Sequence, residues 1–431
     1  MPDSREVAFK TIEHVLKTKE FAENVFAKFA HELPKRDRAL AWEIINGVFR
    51  RMYYLDYKIK KASKSCVIDK EVINILRLGA YQILYLDRVP SYAAVSESVK
   101  LADKLLSKSK AKYVNAILRC ISGNIDLSQY KSNNKVEYLS INYSFPVWIV
   151  KKFIQEYGFE TTEEILFNLN IKPQLFLRVN TRKISRDELI ELFGKKGINA
   201  HPVDEFPEYI MIDRRGVEFE ELVGYKEGYY IAQDPSFSIP VYLLSPRPAE
   251  LILEIGASPG GKSTHIAEKT TEVVLSLDFP EKVDRLVENR QRLGLNNIVI
   301  VAANGIHPPF KHSSFDKILL DAPCSNFGVI RRHPEIRYIK SPSDIMELAN
   351  IQTQLARKAY ELLKPGGTLV YSTCTLTREE NENIANYLQE LGMKIEPPHE
   401  FQLKEFITDE GYVKILPGQF DGSFCARLVK I

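Results

Sequence analysis

"ELILEIGASPGGKSTHIAEKT", residues 250–270, reads as an apolar strand, a glycine-rich turn and the opening of a helix. The rhythm repeats downstream. "EVVLSLD" (272–278) runs into the helical pattern "EKVDRLVENRQRLG" (281–294), and "NIVIVAAN" (297–304) and "DKILLDAP" (316–323) are further apolar strands. A long amphipathic stretch, "DIMELANIQTQLARKAYELLKPGG" (344–367), then leads into the strand "TLVYSTC" (368–374). Such alternation predicts a parallel, doubly wound α/β sheet. Ligands of these sheets bind beyond the carboxyl ends of the strands. Glu254, Asp278, Asn304, Asp321 and Cys374 all fall at or just past such ends.

Upstream the pattern differs. Residues 5–125 read as helices: Val7, Ile12, Val15 and Leu16 share a face at helical spacing, and "RALAWEIINGVFRRMYYLDYKI" and "EVINILRLGAYQILYL" continue the pattern. Residues 126–140 are rich in Asn, Ser and Lys and suit a linker. From there to Pro248 helices mix with short strands, "LFLRVNTRK" (175–183) and "GYYIAQD" (228–234), and a helix "ISRDELIELFGKKG" with a glycine stop. The expected division is therefore an all-α domain over 1–130, a small α+β domain over 131–248 and an α/β Rossmann-like domain over 249–431.

The 431 residues are 45% hydrophobic and 27% charged, an ordinary globular composition, with no uncharged apolar run of membrane-spanning length and no apolar signal core at the N-terminus. Net charge is +3, but residues 1–130 hold 23 basic against 15 acidic residues, leaving −5 for the remainder. A basic helical domain suits a polyanion, and Lys108, Lys110 and Lys112 on "SKSKAKYVNAILRCI" are the best phosphate-contacting edge; solvated helix faces explain the same charge. Five scattered cysteines without metal-ligand spacing indicate reduced thiols and no metal site.

"GASPGGKS" (256–263) matches the phosphate-loop pattern G-x-x-x-x-G-K-[ST] literally, so a nucleotide hydrolase competes as a reading. Three features weigh against it. Pro259 removes an amide from the loop. Asp278, at the end of the next strand, suits the two hydroxyls of a ribose. The hydrolase reading also leaves the cysteines at two strand mouths without a role.

Cys324 follows "DAP" and Cys374 lies in "YSTCT" at the end of the following strand. Consecutive strands of a parallel sheet often lie side by side, which brings both thiols to one cleft. Cys66, Cys120 and Cys425 sit in apolar contexts and read as small buried hydrophobes. A thiolate beside a nucleoside-binding site has an evident use. Cytosine C5 is a poor nucleophile until a thiolate adds to C6 and turns the ring into an enamine; an acid such as Asp321 can hold N3 and the exocyclic amine while charge develops.

"DAPCSNFGVIRRHPEIRY" (321–338), "YSTCT" (371–375), "ASPGGKSTHI" (257–266) and "PGQFDGSFCARLVKI" (417–431) together resemble the S-adenosylmethionine-dependent RNA cytosine-C5 methyltransferases. With "NGVFRRMYYLD", "LGAYQILYLDRVP" and "FLRVNTRK", the resemblance is to the bacterial RsmB (Sun/Fmu) group, whose helical N-terminal part is NusB-like and whose substrate is small-subunit (16S) ribosomal RNA. It implies Cys374 as nucleophile and Cys324 as the cysteine of product release. It implies a cofactor loop of Gly256, Ala257, Ser258, Pro259, Gly260, Gly261 and Lys262, Asp278 on the ribose, and Asp321 shared between cofactor and base. Gly256 replaces a cysteine common in the family, which is why the loop mimics a phosphate loop. Asn304 stands near the adenine where the family usually has Asp, Glu254 replaces Asp, and Phe327 replaces a smaller residue near the substrate mouth. Arg331 and Arg332 are read equally as phosphate contacts or as a solvated loop. The scattered cysteines argue for a cytoplasmic protein, with no membrane association and no obligate protein partner evident. Transfer RNA as substrate, or a non-catalytic RNA-binding assembly role, are the alternatives.

Overall fold

The computed structural model describes residues 3–63, 68–123, 128–213, 219–398 and 401–431. The first part is helical: α1 (Ser4–Thr18), α2 (Ala22–Ala30), α3 (Lys35–Ser63), α4 (Ile73–Tyr85), α5 (Ser91–Leu105), α6 (Lys108–Ser122), α7 (Lys135–Tyr143), α8 (Val147–Tyr157) and α9 (Phe159–Asn168). Helix starts follow local chemistry. Asp3 caps α1 by accepting from Arg5 N and Glu6 N at 2.9 Å each, and Ser107 caps α6 by accepting from Lys110 N at 3.3 Å. The apolar faces meet in one core that contains Ile12, Val15, Ile44, Phe49, Ile75, Val114 and Leu118.

A small antiparallel sheet follows, built from β1 (Leu175–Val179), β2 (Ala200–Pro202), β3 (Tyr209–Ile212) and β4 (Tyr230–Ala232) in the order β2-β3-β1-β4, with α10 (Arg186–Gly194) against it. Ser185 and Glu188 form a full capping box at the start of α10. The strands are shorter than their apolar runs. Beyond Val179 the Asn180 side chain donates to the carbonyls of Gly228 (3.1 Å) and Leu293 (3.0 Å), which turns the chain out of the ladder.

The large sheet uses β5 (Ile252–Ile255), β6 (Val274–Asp278), β7 (Ile298–Ala302), β8 (Phe315–Asp321), β9 (Leu363–Thr373), β10 (Met393–Ile395), β11 (Val413–Ile415) and β12 (Ser423–Lys430). Its order is β10-β12-β9-β8-β5-β6-β7, with β11 pairing β12. β5 to β9 are mutually parallel, and β12 is antiparallel to β9. Alternation along each strand feeds two cores. Ile252 faces one with Ile266 and Ala267 of α12 (Gly261–Lys269) and Leu293 of α13 (Asp284–Leu293), packed beside α11 (Ile239–Leu244). Leu253 and Ile255 face the other, with Leu355 and Ala359 of α15 (Pro342–Leu362) and Leu388 of α16 (Glu382–Glu390).

Two compact units result. One holds Met1–Ile171 together with Ile330–Pro342; the other holds Lys172–Val329 with Ser343–Ile431. The segment after Cys324, which carries the short helix α14 (Ile336–Ile339), thus belongs with the helices. Within that unit the Arg337 guanidinium is wholly buried 3.9 Å over the Phe145 ring and donates to Asn170 Oδ1 (3.0 Å) and to the carbonyls of Tyr143 and Ser144. Glu335 accepts from Ala22 N at 3.1 Å. Arg331 is buried and Arg332 half-buried, so Arg331 is neither a surface phosphate contact nor a solvated loop residue: its segment is needed to fill the helical core. Among the described residues no helix is long and apolar enough to cross a membrane.

Candidate active site

Asp321 pairs with Ser372 across β8 and β9, so the loops that leave these neighbouring strands start side by side. Cys324 and Cys374 come from those two loops, and their sulfurs lie 3.2 Å apart. Asn326, held at φ 65°, turns its side chain back so that Oδ1 lies 2.8 Å from the Cys374 sulfur and 3.5 Å from that of Cys324. The left-handed turn is one that Asn adopts at lower cost than most residues. The backbone closes the arrangement. Gly328 N donates to Cys374 O at 2.9 Å, and Gly422 N donates to Gly328 O at 3.0 Å. A Cβ at Gly328 would lie 2.1 Å from Gly422 O, so this approach requires glycine.

On the cofactor side, Lys262 leaves the first turn of α12 and its Nζ lies 2.6 Å from Asp321 Oδ2, 5.4 Å from the Phe237 ring centroid. Burial disfavours the Lys262 charge, but Asp321 and then Glu254 outweigh it and the ammonium is held above its ordinary range. The lysine is thus engaged by Asp321, unlike the phosphate-reaching lysine of a nucleotide hydrolase. Gly256 takes φ 84°, and a Cβ there would lie 2.1 Å from Asp321 O, which draws the glycine loop against the strand carrying the acid. Asp278 accepts from Ser258 N and Phe279 N at 2.8 Å each, fixing its carboxylate at the end of β6. Asn304 Oδ1 accepts from Ile306 N at 2.9 Å, which orients its amide at the end of β7.

The surroundings hold Cys374 and Glu254 well above their usual ranges. The Cys374 thiol is pushed well up, first by its hydrogen bond with Cys324 and then by burial; Asp321 adds to this and Lys262 opposes it. The cleft therefore holds a neutral thiol before substrate arrives. Glu254, buried and hydrogen-bonded with Ser263, is pushed up to about 8 by burial, with Asp321 and Asp278 reinforcing the shift.

The glycine loop, Asp278, Asn304, Asp321, Cys324 and Cys374, expected from different stretches, thus lie on one edge of the large sheet. Asn326 and the Lys262–Asp321 pair are additions; the amide lay in plain view within "PCSN", but nothing local says that it turns back on the thiols. Cys425 is buried as expected, and its thiol is pushed up to about 12 by burial. Cys120 is exposed, because it falls on the outer face of α6, and Cys66 lies outside the described residues. Phe327 is fully buried, so its bulk fills the core under the loop and does not line an open mouth.

Comparison with known proteins agrees with this architecture. Residues 241–429 match a family model described as 16S rRNA methyltransferase RsmB/F, residues 2–122 the NusB family, and residues 145–218 the ferredoxin-like domain of RsmF/B-like methyltransferases. The chain is 35% identical over 415 residues to a probable ribosomal RNA small subunit methyltransferase B of Bacillus subtilis, covering 93% of this chain and 92% of that one. It is 33% identical over 438 residues to ribosomal RNA small subunit methyltransferase B of Escherichia coli, covering 99% and 98%. Among solved structures, PH0851 superposes with a TM-score of 0.80 over 100% of this chain and 99% of its own at 23% identity, a likeness of fold. A methyltransferase homolog protein from Pyrococcus horikoshii gives 0.60 at 27% identity, covering 70% of this chain and all of its own.

Proposed function

We propose how this chain, which belongs to the RsmB/F family of 16S ribosomal RNA methyltransferases, performs its reaction: it methylates C5 of a cytosine in small-subunit ribosomal RNA through a covalent adduct on Cys374. The observation that carries the reading is the 3.2 Å approach of two thiols beside a carboxylate at the mouths of neighbouring strands.

The residues present fit S-adenosylmethionine. The Asp278 carboxylate at the end of β6 would accept from the ribose hydroxyls, the Asn304 amide, which has both a donor and an acceptor, would bind the adenine, and the glycine loop, closed on the β8 backbone, would let the cofactor approach. The bound cofactor supplies an electrophilic methyl group. Gly256 to Lys262, Asp278, Asn304 and Asp321 are the residues assigned to hold it.

The rest is the work of this chain. Asp321 holds the cytosine at N3 and the exocyclic amine. The Cys374 sulfur adds to C6 while its S–H proton passes by way of Asp321 to N3, so the ring becomes nucleophilic at C5. Lys262, the one group that lowers the Cys374 pKa among its main influences, favours the thiolate as the base engages Asp321. After methylation a water molecule takes the C5 proton, the C6–S bond breaks with its electron pair on sulfur, the N3 proton returns by way of Asp321 to that sulfur, and Cys324 assists the release. The base must be unpaired or flipped out for its face to be reached. The helical domain over 1–130 and the small domain over 131–248 are assigned to RNA binding, the domain over 249–431 to catalysis, and the enzyme to the cytoplasm.

Bisulfite sequencing of 16S ribosomal RNA with and without this gene tests the reaction: one cytosine loses protection when the gene is absent. Loss confined to transfer RNA favours the other substrate, and no loss at all rejects the reading.

A further inference from the structure

Glu380 is fully buried, six residues beyond Cys374, and joins the residue that follows each thiol. Its Oε1 accepts from Ser325 N at 2.8 Å and from Gln352 Nε2 at 3.1 Å; its Oε2 accepts from the hydroxyls of Ser325 and Thr377 at 2.6 Å each. Thr375 Oγ1 is 3.5 Å from the carboxylate but 2.6 Å from Ser325 Oγ. Each hydroxyl has one proton to give, so Thr375 donates to Ser325 and Ser325 to Glu380. Gln352 also donates to Pro323 O at 2.8 Å, directly before Cys324. The carboxylate thus accepts at both oxygens and grips both cysteine loops at once, 55 residues apart along the chain at Ser325.

We propose that Glu380 is a positioning residue that sets the separation and mutual facing of Cys324 and Cys374, and so governs release of the methylated RNA. This rests on the cysteine roles given above. With the clamp intact, the releasing thiol stays beside the adduct that its neighbour forms. Without it the two loops relax independently, attack at C6 still occurs on the Cys374 loop, and release fails. Glutamine is a weaker substitute: turned one way its amide nitrogen meets the Ser325 and Gln352 N–H donors, and turned the other way it makes the Ser325 and Thr377 hydroxyls accept, so that their charge-assisted bonds to the carboxylate are lost.

The test compares the full-length wild type with Glu380→Gln, Cys324→Ala, Cys374→Ala and the Glu380→Gln/Cys324→Ala double variant. Multiple turnover, the Cys374-dependent protein–RNA adduct on denaturing gels, S-adenosylmethionine affinity and melting temperature are measured. Glu380→Gln should leave cofactor affinity within about twofold, because the cofactor loop is not in the clamp. It should slow turnover by about 10²-fold, the effect of a misplacement near 1 Å, and accumulate adduct as Cys324→Ala does. The double variant should accumulate no more than Cys324→Ala alone, since both changes remove one step. A merely structural role lowers the melting temperature without trapping adduct. Wild-type turnover in Glu380→Gln, loss of activity without adduct while Cys324→Ala still traps it, or multiplicative effects in the double variant overturn the proposal. If Glu380→Gln does not fold, Ser325→Ala decides, with adduct accumulation expected and wild-type release overturning it. If Cys324→Ala traps nothing, or Cys374→Ala stays active, the cysteine reading itself has failed and the proposal falls with it.

Discussion

The sulfurs of Cys324 and Cys374 lie 3.2 Å apart, and Asn326 Oδ1 is within reach of both. Two thiols from different strand mouths share one acceptor, so each is part of the other's environment. If their jobs differ, removing either one should give a distinct product. Cys374→Ala should abolish methyl transfer, because C5 stays unreactive without addition at C6. Cys324→Ala should still attack and methylate, and should accumulate a covalent protein–RNA species on denaturing gels. Accumulation of the adduct only in the absence of Cys374 would falsify this division.

The upward shift of the Cys374 thiol has a chemical readout. Contact with Cys324 is the largest cause of the upward shift at Cys374, so Cys324→Ala should bring that thiol down toward its ordinary range. Iodoacetamide labelling of Cys374 at pH 8, followed by peptide mass spectrometry, should be slow in the wild type and faster in the variant, since the thiolate is the reacting form. Equal or slower labelling in the variant contradicts the assigned cause.

Glu254 links burial to pH-dependent stability. Its folded pKa of about 8 lies above the ordinary carboxyl value, so the folded state holds a proton that the unfolded chain has already released. The stabilisation is complete below about pH 4.5 and drains away as pH rises to about 8. Glu254→Gln keeps the group uncharged throughout. The variant should therefore gain on the wild type between pH 5 and 8.5, by an amount on the order of a few kcal/mol. Denaturant melts at the two pH values measure it, and a gap that is constant with pH argues against a protonated Glu254.

Asp278 separates cofactor from nucleotide binding. Loss of its charged hydrogen bonds in Asp278→Ala should weaken S-adenosylmethionine by about 10- to 100-fold. Calorimetry with S-adenosylmethionine and with ATP checks both ligands. Phosphate-dependent binding of ATP, with no response to S-adenosylmethionine, would restore the phosphate-loop reading of "GASPGGKS".

Charge on α6 is unevenly available. Lys110 is half-buried and paired with Glu71 and with Asp69 (3.3 Å), whereas Lys108 and Lys112 are exposed. Neutralising Lys108 and Lys112 should flatten the salt dependence of RNA binding by about 0.7–0.9 log–log units per lost phosphate contact. Neutralising Lys110 alone should change it less. An unchanged slope in the double variant leaves these lysines as solvated surface.

The strand–loop–helix rhythm from Glu250 onward, the helical first part and the strand-end positions of Asp278, Asp321 and Cys374 were legible in the linear chain. Periodicity of apolar residues and turn chemistry are local properties, written within a few residues of where they act. Strand limits were less legible, because a side chain such as Asn180 ends β1 by bonding to Leu293 O, 113 residues away.

Tertiary structure alone decided three things. It assigned Ile330–Pro342, whose Arg331 and Arg332 read equally as phosphate contacts or a solvated loop, to the helical unit, where Arg337 finds its aromatic and carbonyl partners in the α7–α8 turn. It turned the Asn326 amide onto both thiols. It also buried Glu380, one of three acids in "TREENE", under the two cysteine loops. A chain pattern records which residues prefer water or an apolar face. Which donors surround a buried carboxylate depends on strands and loops brought together from far along the chain, and that adjacency exists only after the sheet has formed.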